Sequence, residues 1–324
     1  MAKTVKVDIA LDEALAAIAA GEPVAIPTET VYGLAADAAN GRAIARIYEA
    51  KGRPRFNPLI AHVDTLEMAE RIGRFDPLSR QLAQAFWPGP LTLVLPLQPG
   101  AAVHALVTAG LDTVALRMPR GFAATLVAAL GRPLAAPSAN RSGRISATTA
   151  EAVAADLGTR IPLIVNGGPT PVGVESTILK VEDGRLLLLR AGGVTAEEIE
   201  AATGQKVERG AGGRIEAPGM LASHYAPDAR VRLNATEVLP GEALLAFGPV
   251  RAKGAERAKA VLNLSAAGDL GEAATNLFSH LQALDDSGAS MIAAEPVPHH
   301  GLGAAINDRL SRAAAPRDKP PAGS

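Results

Sequence analysis

Apolar residues recur along the first two hundred positions in two alternating rhythms. Ile9, Leu11, Leu15 and Ile18 follow the period of an amphipathic helix over 8–20, closed by Gly21, and Val24-Ala25-Ile26 reads as a short buried strand. Ile44, Ile47 and Tyr48 repeat the helical spacing over 41–50. Apolar runs at 59–63, 91–97, 113–118, 133–136 and 161–166 predict strands, and 65–86, 121–130 and 148–157 predict helices, the interleaving of an α/β fold. Over 175–190 the run STILKV, the turn signal Glu182-Asp183-Gly184 and the run RLLLLR predict an antiparallel hairpin, so the sheet is expected to be mixed.

A helix at 195–203 is followed by Glu208-Arg209-Gly210-Ala211-Gly212-Gly213-Arg214, a Gly-rich charged stretch unable to bury a core. Beyond it, strands at 243–247, 259–264 and 290–295 alternate with helices at about 251–258, 269–285 and 303–314, which predicts a smaller parallel three-layer unit. The expected division is a first domain over 1–207, a linker or lid over 208–229, a C-terminal α/β domain over 230–315 and a Pro-rich flexible tail over 316–324. A length of 324 residues agrees with two cores, since a single core stops growing efficiently below that size. No internal repeat is visible.

Composition narrows the function classes. The 32 basic and 33 acidic residues nearly cancel, which argues against a surface built to coat nucleic acid or anionic lipid, so any anion binding must be local. Cysteine is absent, which excludes disulfides, thiolate zinc sites and cysteine nucleophiles. Asp8, Asp12 and Glu13 interrupt the N-terminal apolar pattern, and no uninterrupted apolar run approaches about 18 residues; a soluble cytoplasmic chain with no membrane partner is expected. There is no G-x-x-x-x-G-K-[ST], no H-E-x-x-H and no G-x-S-x-G, which speaks against a P-loop ATPase, a zincin and an esterase elbow. Gly301-Leu302-Gly303 begins like a dinucleotide fingerprint but lacks its third glycine and reads as a helix start.

Polar residues gather where predicted strands and helices end. Lys51, Arg53 and Arg55 flank a proline-broken turn in KGRPRFNPLIAHV. A helix end accounts for Lys51 through the helix dipole, and less well for cations placed beyond a glycine and a proline. A guanidinium fork suits phosphate oxygens and an ammonium acts as a point charge; Asn57 adds an amide between them and the next strand. His62 lies on that strand and, taken in isolation, reads as a packed, hydrogen-bonded core histidine. Pro27-Thr28-Glu29-Thr30-Val31-Tyr32-Gly33-Leu34, Thr113 with Arg117, Ser138-Ala139-Asn140 with Ser142, Gly143 and Ser146, and Gly173-Val174-Glu175-Ser176-Thr177 with Arg190 repeat the arrangement. Each alone reads as an ordinary loop, but their repetition points to loops converging on one anion-rich ligand.

Taken together, PTETVYGL, the K-x-R pair Lys51 and Arg53 followed by Asn57-Pro58-Leu59, the S-x-N of Ser138 and Asn140 with Ser142-Gly143, and GVEST resemble the threonylcarbamoyl-AMP synthases with the YrdC-like fold. The resemblance spans roughly the first two hundred residues in order. Ala217-Pro218-Gly219-Met220-Leu221-Ala222-Ser223-His224-Tyr225-Ala226-Pro227 resembles the P-G-x-x-x-x-H-Y-x-P segment of the long, two-domain form, and Ala147 departs from the proline usual after Ser146. The resemblance implies an N-terminal YrdC-like mixed twisted sheet with helices and a smaller C-terminal Rossmann-like α/β domain. It implies a nucleotidyltransferase that makes threonylcarbamoyl-adenylate and pyrophosphate from L-threonine, bicarbonate and ATP, with threonylcarbamoyl transferase proteins and tRNA downstream. Carried over by position, Thr30, His62, Arg117, Ser138 and Ser176 are the threonine side. Arg53, Asn57, Thr113, Asn140, Ser146, Arg190 and Tyr225 are the ATP side, with Lys51 and Arg53 as the catalytic cations. Mg2+ is expected to be bound mainly through ATP phosphates, with no protein metal site, and 217–227 is the expected lid. Two rivals remain: a tRNA- or double-stranded-RNA-binding protein without turnover, and the YrdC-like module of hydrogenase-maturation carbamoyltransferases, whose zinc finger a cysteine-free chain does not have.

Overall fold

The computed structural model describes residues 1–210, 217–218 and 224–316. Of the expected lid, residues 219–223 lie outside the described residues, as do 211–216 of the linker and 317–324 of the tail. Two compact units form. The first holds Met1–Ser142 and the chain from Ser146 to Pro218; the second holds Gly143–Ile145 and the chain from His224.

In chain order the first unit contains β1 (Lys3–Lys6), α1 (Leu11–Ala19), β2 (Val24–Ile26), β3 (Gly33–Asp37), α2 (Gly41–Lys51), β4 (Ile60–His62), α3 (Leu66–Glu70) and α4 (Pro77–Phe86). It continues with β5 (Leu91–Pro96), α5 (Ala105–Thr108), β6 (Thr113–Arg117), α6 (Phe122–Leu130), β7 (Leu134–Ala135), α7 (Ala150–Leu157), β8 (Leu163–Asn166), β9 (Thr177–Glu182), β10 (Arg185–Arg190), α8 (Ala196–Thr203) and β11 (Val207–Arg209). The strands form one mixed sheet in the order β1-β8-β2-β3-β7-β4-β6-β5-β9-β10-β11. Ile18 of α1, Ile44 and Ile47 of α2, and Leu126 and Val127 of α6 join the buried strand residues in its core.

Local chemistry sets most boundaries. Asn40 caps α2 by accepting from the backbone N–H groups of Arg42 and Ala43, and Gly52, at φ 59°, ends it in the left-handed conformation. Thr195 and Glu198 form a capping box on α8. Asp183 and Gly184, both at positive φ, make the two-residue turn of the β9–β10 hairpin, the geometry that matches the twist of paired strands.

Three sequence expectations about the first unit need correction. The helix read across 65–86 is two helices, because Gly73 leaves the helical path to bridge Leu97 and Asp76 with Pro77 starts a new one. The loop read at PTETVYGL gives way to a strand at Gly33, whose pairing with Ile26 no periodicity announces. Glu208 and Arg209, read as linker, extend the sheet, since Val207–Arg209 pair in parallel with Leu186–Leu188.

The second unit holds β12 (Arg230–Arg232), β13 (Ala243–Ala246), β14 (Val261–Asn263), α9 (Leu270–Asp286), β15 (Met291–Ala294) and α10 (Gly303–Ala314). Its sheet runs β12-β15-β13-β14 and all its pairings are parallel. The helix read over 251–258 is irregular chain with one 3-10 turn at Ala255–Arg257. Ala252, Ala255 and Ala258 from that stretch, with Ala235 and Val238, pack against Leu244, Ala246 and Ala293, so irregular chain supplies a layer where a helix was expected. Among the described residues no helix is long and apolar enough to cross a membrane.

Candidate active site

The turn after α2 presents two cations already held by the chain. Lys51 is buried, and its Nζ donates to the Ser138 carbonyl at 2.5 Å and to the Asn140 carbonyl. Burial, and then the neighbouring charge of Arg53, push the Lys51 ammonium well below the ordinary lysine range, against a smaller opposite pull from Asp156 and Glu175. Arg53 donates from Nε to the Asn57 carbonyl at 3.2 Å, and from Nη2 to Asn57 Oδ1 at 2.7 Å and to the Pro58 carbonyl at 2.8 Å. The Arg53 fork is thereby fixed against the start of β4 and loses little rotamer freedom when an anion arrives. Asn57 Nδ2, a buried donor, has no hydrogen-bond partner among the described residues. Arg55 is exposed.

At the other end of β4, His62 lies opposite Arg117 in the parallel register of β4 and β6. Burial and the Arg117 charge lower the His62 pKa well below its ordinary value, so the ring is neutral, and its Nδ1 has no hydrogen-bond partner among the described residues. Arg117 forms an ion pair with Glu29 at 2.8 Å, off the hydrogen-bonding direction, and its Nε donates to the Gly89 carbonyl at 3.4 Å. The second carboxylate oxygen of Glu29 accepts from the Arg120 backbone N–H at 3.1 Å. Thr30 is fully buried, and its hydroxyl shares a 2.9 Å hydrogen bond with Thr28. The backbone N–H groups of Val172 and Gly173 donate to the carbonyls of Glu29 and Thr30 at 3.0 and 3.2 Å, which joins the PTET loop to the one that precedes β9.

Ser176 and Arg190 meet across that hairpin. Arg190 donates to the Ser176 carbonyl from Nε at 3.1 Å and from Nη2 at 2.9 Å, and to the Ser176 hydroxyl at 3.2 Å. A register shift between Leu188 and Arg190 places the arginine opposite Ile178, a bulge that re-aims a side chain strict alternation would have turned the other way. Gly192 lies against the backbone of Glu175, Ser176 and Thr177, where a Cβ would come within 2.4 Å of main-chain atoms, so only glycine permits this approach. Ser176 also shares a 2.7 Å hydrogen bond with Thr92, and Ser146 donates to Glu175 at 2.5 Å.

The residues singled out from sequence are thus buried polar groups tied loop to loop: Thr30, Lys51, Arg53, Asn57, His62, Arg117, Asn140, Ser146, Ser176 and Arg190 are all under a tenth exposed. Ser138 is half-buried and lends its carbonyl to Lys51, and Thr113 is half-buried at the start of β6, opposite Pro96. Tyr225 belongs to the second unit, where its ring packs on His224 and Phe278. Sequence reasoning counted the Glu29 carboxylate toward a ligand crevice without a role of its own, and gave none to Glu175 or Thr92. Glu175 stood inside the run GVEST, read for its hydroxyls, and Thr92 is the lone polar residue of LTLVLP, a usable signal in an otherwise apolar strand. Among the described residues no group of three His, Asp or Glu gathers as a metal cage, and both buried site carboxylates are engaged, Glu29 by Arg117 and Glu175 by Ser146.

Known proteins resemble this chain over nearly its whole length. The family profile Sua5/YciO/YrdC, described as "Telomere recombination", matches residues 16–192, and a second, described as "Threonylcarbamoyl-AMP synthase, C-terminal domain", matches 194–315. A protein of Bacillus subtilis named threonylcarbamoyl-AMP synthase is 42% identical over 96% of this chain and 94% of its own. One of the same name from Pyrococcus abyssi is 42% identical over 92% of each. The crystal structure of P. abyssi Sua5 complexed with L-threonine superposes with a TM-score of 0.84 at 39% identity over 94% of both chains. E. coli YciO shares only the fold of the first unit, at TM-score 0.53 and 20% identity over 59% of this chain and 96% of its own.

Proposed function

Because this chain belongs to the threonylcarbamoyl-AMP synthase family, in the form that carries the C-terminal domain, we propose that it joins L-threonine, bicarbonate and ATP into threonylcarbamoyl-adenylate and releases pyrophosphate. The product would serve transferase proteins that modify tRNA. One observation carries the reading: buried polar atoms with no partner among the described residues, Asn57 Nδ2 and His62 Nδ1, fall on residues that the family resemblance assigns respectively to the nucleotide and to threonine. Buried donors and acceptors are normally satisfied, so such atoms suit ligand contacts.

In this reaction the threonine nitrogen first takes up the carbon of bicarbonate with loss of water. A carbamate oxygen then bonds to the α-phosphorus as the bond from that phosphorus to the β-phosphate oxygen breaks, and pyrophosphate leaves with the electron pair. Both partners are anionic, so the protein's task is charge neutralisation and alignment. Lys51 and Arg53, held in a rigid turn, would meet the phosphates, and Arg190 would add a third cation. The depressed Lys51 pKa supports this role, since a buried ammonium beside a guanidinium is poorly compensated until an anion joins it. On the threonine side Arg117 would take the carboxylate, and the neutral His62 ring offers a nitrogen without adding positive charge beside it. Mg2+ would arrive with the nucleotide; the described residues offer it no carboxylate cage, and no step of the chain's own chemistry runs through it.

The test is pyrophosphate release from purified full-length chain with ATP, leaving out threonine and bicarbonate in turn. Release that requires all three substrates is expected. Release that persists without threonine, or none under any condition, refutes the proposal, and the second outcome together with salt-sensitive tRNA binding would favour an RNA-binding role.

A further inference from the structure

Thr92 carries a hydroxyl that packing does not ask for. It is fully buried in β5, where strand alternation sets it on the same face as Val94, and that face meets Ile60, Ala115 and Ile178 in a small apolar cluster. Valine has the same shape and would fill the position without a polar group to satisfy. Leu91, Leu93 and Leu95 point the other way, into the larger core with the helices. His62 and Arg117 follow Ile60 and Ala115 by two residues in β4 and β6, so they share the face of Thr92. Leu93 pairs with Leu116 in the antiparallel register of β5 and β6, which makes Thr92 and Arg117 the next residues along the two strands. The hydroxyl therefore stands on the side of the sheet that carries the candidate site.

Among the described residues its one partner is the Ser176 hydroxyl, at 2.7 Å. A hydroxyl has one proton to give and two lone pairs to accept with. Arg190, which can only donate, reaches the Ser176 oxygen from Nη2 at 3.2 Å and takes one of those lone pairs. Thr92 and Ser176 then have two protons and one bond between them, so one proton is left over whichever way that bond runs. Spare lone pairs are common in proteins, whereas buried protons without an acceptor are rare. If Ser176 donated, the spare proton would belong to Thr92, inside the sheet beside its register partner Ile178, where no acceptor can reach it. If Thr92 donates, the spare proton belongs to Ser176, on the loop that leads into β9 and is bonded to the PTET loop, where a ligand oxygen can complete it.

We propose that Thr92 is a positioning residue for the amino-acid substrate. By donating to Ser176 while Arg190 fills the other lone pair, it leaves the Ser176 hydroxyl able only to donate. The substrate group that Ser176 meets is then an acceptor, the carboxylate, and not the ammonium. A carboxylate has acceptor sites enough for Ser176 and for the guanidinium of Arg117 together. This rests on the threonine-side reading above.

The test compares the full-length wild type with Thr92→Val, Thr92→Ser, Ser176→Ala and the Thr92→Val/Ser176→Ala double variant. Calorimetry without ATP measures affinity for L-threonine and for L-threoninamide, and pyrophosphate release gives KM for ATP. Thr92→Val is expected to weaken L-threonine binding about fivefold to tenfold, the scale of one hydrogen bond, with KM for ATP unchanged. Thr92→Ser should recover most of that loss, the double variant should bind no more weakly than Ser176→Ala, and the wild type should prefer L-threonine to its amide. Unchanged threonine affinity in Thr92→Val, equal losses for threonine and ATP, no recovery in Thr92→Ser, a further loss in the double variant, or an amide bound as tightly as threonine overturns the proposal. Should Thr92→Val fail to fold, Thr92→Cys, with its weak S–H donor, takes its place under the same expectations and refutations. A wild type that binds no L-threonine refutes the functional reading and this inference with it. One that binds L-threonine but releases no pyrophosphate refutes the reading alone, and indifferent variants of a threonine-binding wild type refute the inference alone.

Discussion

Replacing Glu29 by glutamine tests whether a buried ion pair holds the proposed threonine side together. The substitution keeps the side chain's size, so no cavity forms, but it leaves the Arg117 guanidinium buried without its counter-charge; the side chains of the pair are only 5% and 9% exposed. Removing one partner of such a pair costs about 3–5 kcal/mol, largely from the charge left uncompensated. The weakened hydrogen bond from Arg120 N–H to the second oxygen lies within that range. Urea unfolding followed by fluorescence reads the change, because the chain has one tryptophan. That residue, Trp87, lies beside the carbonyls of Pro88 and Gly89, which accept from Arg120 Nε and Arg117 Nε. With a urea dependence of about 2–3 kcal/mol per molar, the midpoint should fall by about 1–2 M at unchanged slope. A fall corresponding to less than about 1 kcal/mol, the scale of one neutral hydrogen bond, would refute the reasoning. Adding Arg117→Met to Glu29→Gln removes the orphaned charge, so the double variant should be more stable than Glu29→Gln; if it is less stable, desolvated charge is not the cause.

The other predictions concern protons and phosphates. The folded Lys51 pKa lies well below its ordinary value and a bound triphosphate would raise it, so ATP binding at pH between those two values should take up a proton and weaken as pH rises. Calorimetry in buffers of different ionisation enthalpy should report this uptake, and Lys51→Met should abolish it. His62 stays neutral in the fold while the unfolded chain takes a proton near pH 6.5, so stability should fall as pH drops below about 6.5, by up to about 1.4 kcal/mol per pH unit, until the lowered folded pKa is reached. His62→Gln should flatten that slope in acid denaturation, and an unchanged slope would count against a neutral buried ring. Arg53→Ala should lower kcat by about 10²–10³-fold, the scale of one lost transition-state donor, and weaken threonine binding far less; equal losses would remove Arg53 from the phosphate side.

Local signals in the chain sufficed wherever an element is defined by its own residues. Helix α2 is announced by the spacing of Ile44, Ile47 and Tyr48, and Asn40 and Gly52 then close its two ends. The β9–β10 hairpin is announced by Asp183-Gly184 between two apolar runs. They failed where a partner elsewhere decides. The break at Gly73 exists because its backbone pairs with Leu97, and β11 exists because Val207–Arg209 find β10. Over 251–258, small alanines that suit a helix serve instead as irregular cover for the second sheet.

The same division runs through the site. Residue types at strand ends nominated its candidate side chains, since Lys51, Arg53, Asn57, His62 and Arg117 have few other reasons to stand where apolar runs begin and end. Sequence could not assign their partners. That Glu29 faces Arg117, that Glu175 accepts from Ser146, and that a bulge turns Arg190 toward Ser176 are pairings between positions 14 to 88 residues apart. Such pairings depend on sheet order, which an alternating pattern leaves open. Tertiary structure also decided ionisation: a lysine and a histidine with ordinary sequence neighbours lose their charge preference only once folding removes water and brings Arg53 and Arg117 beside them.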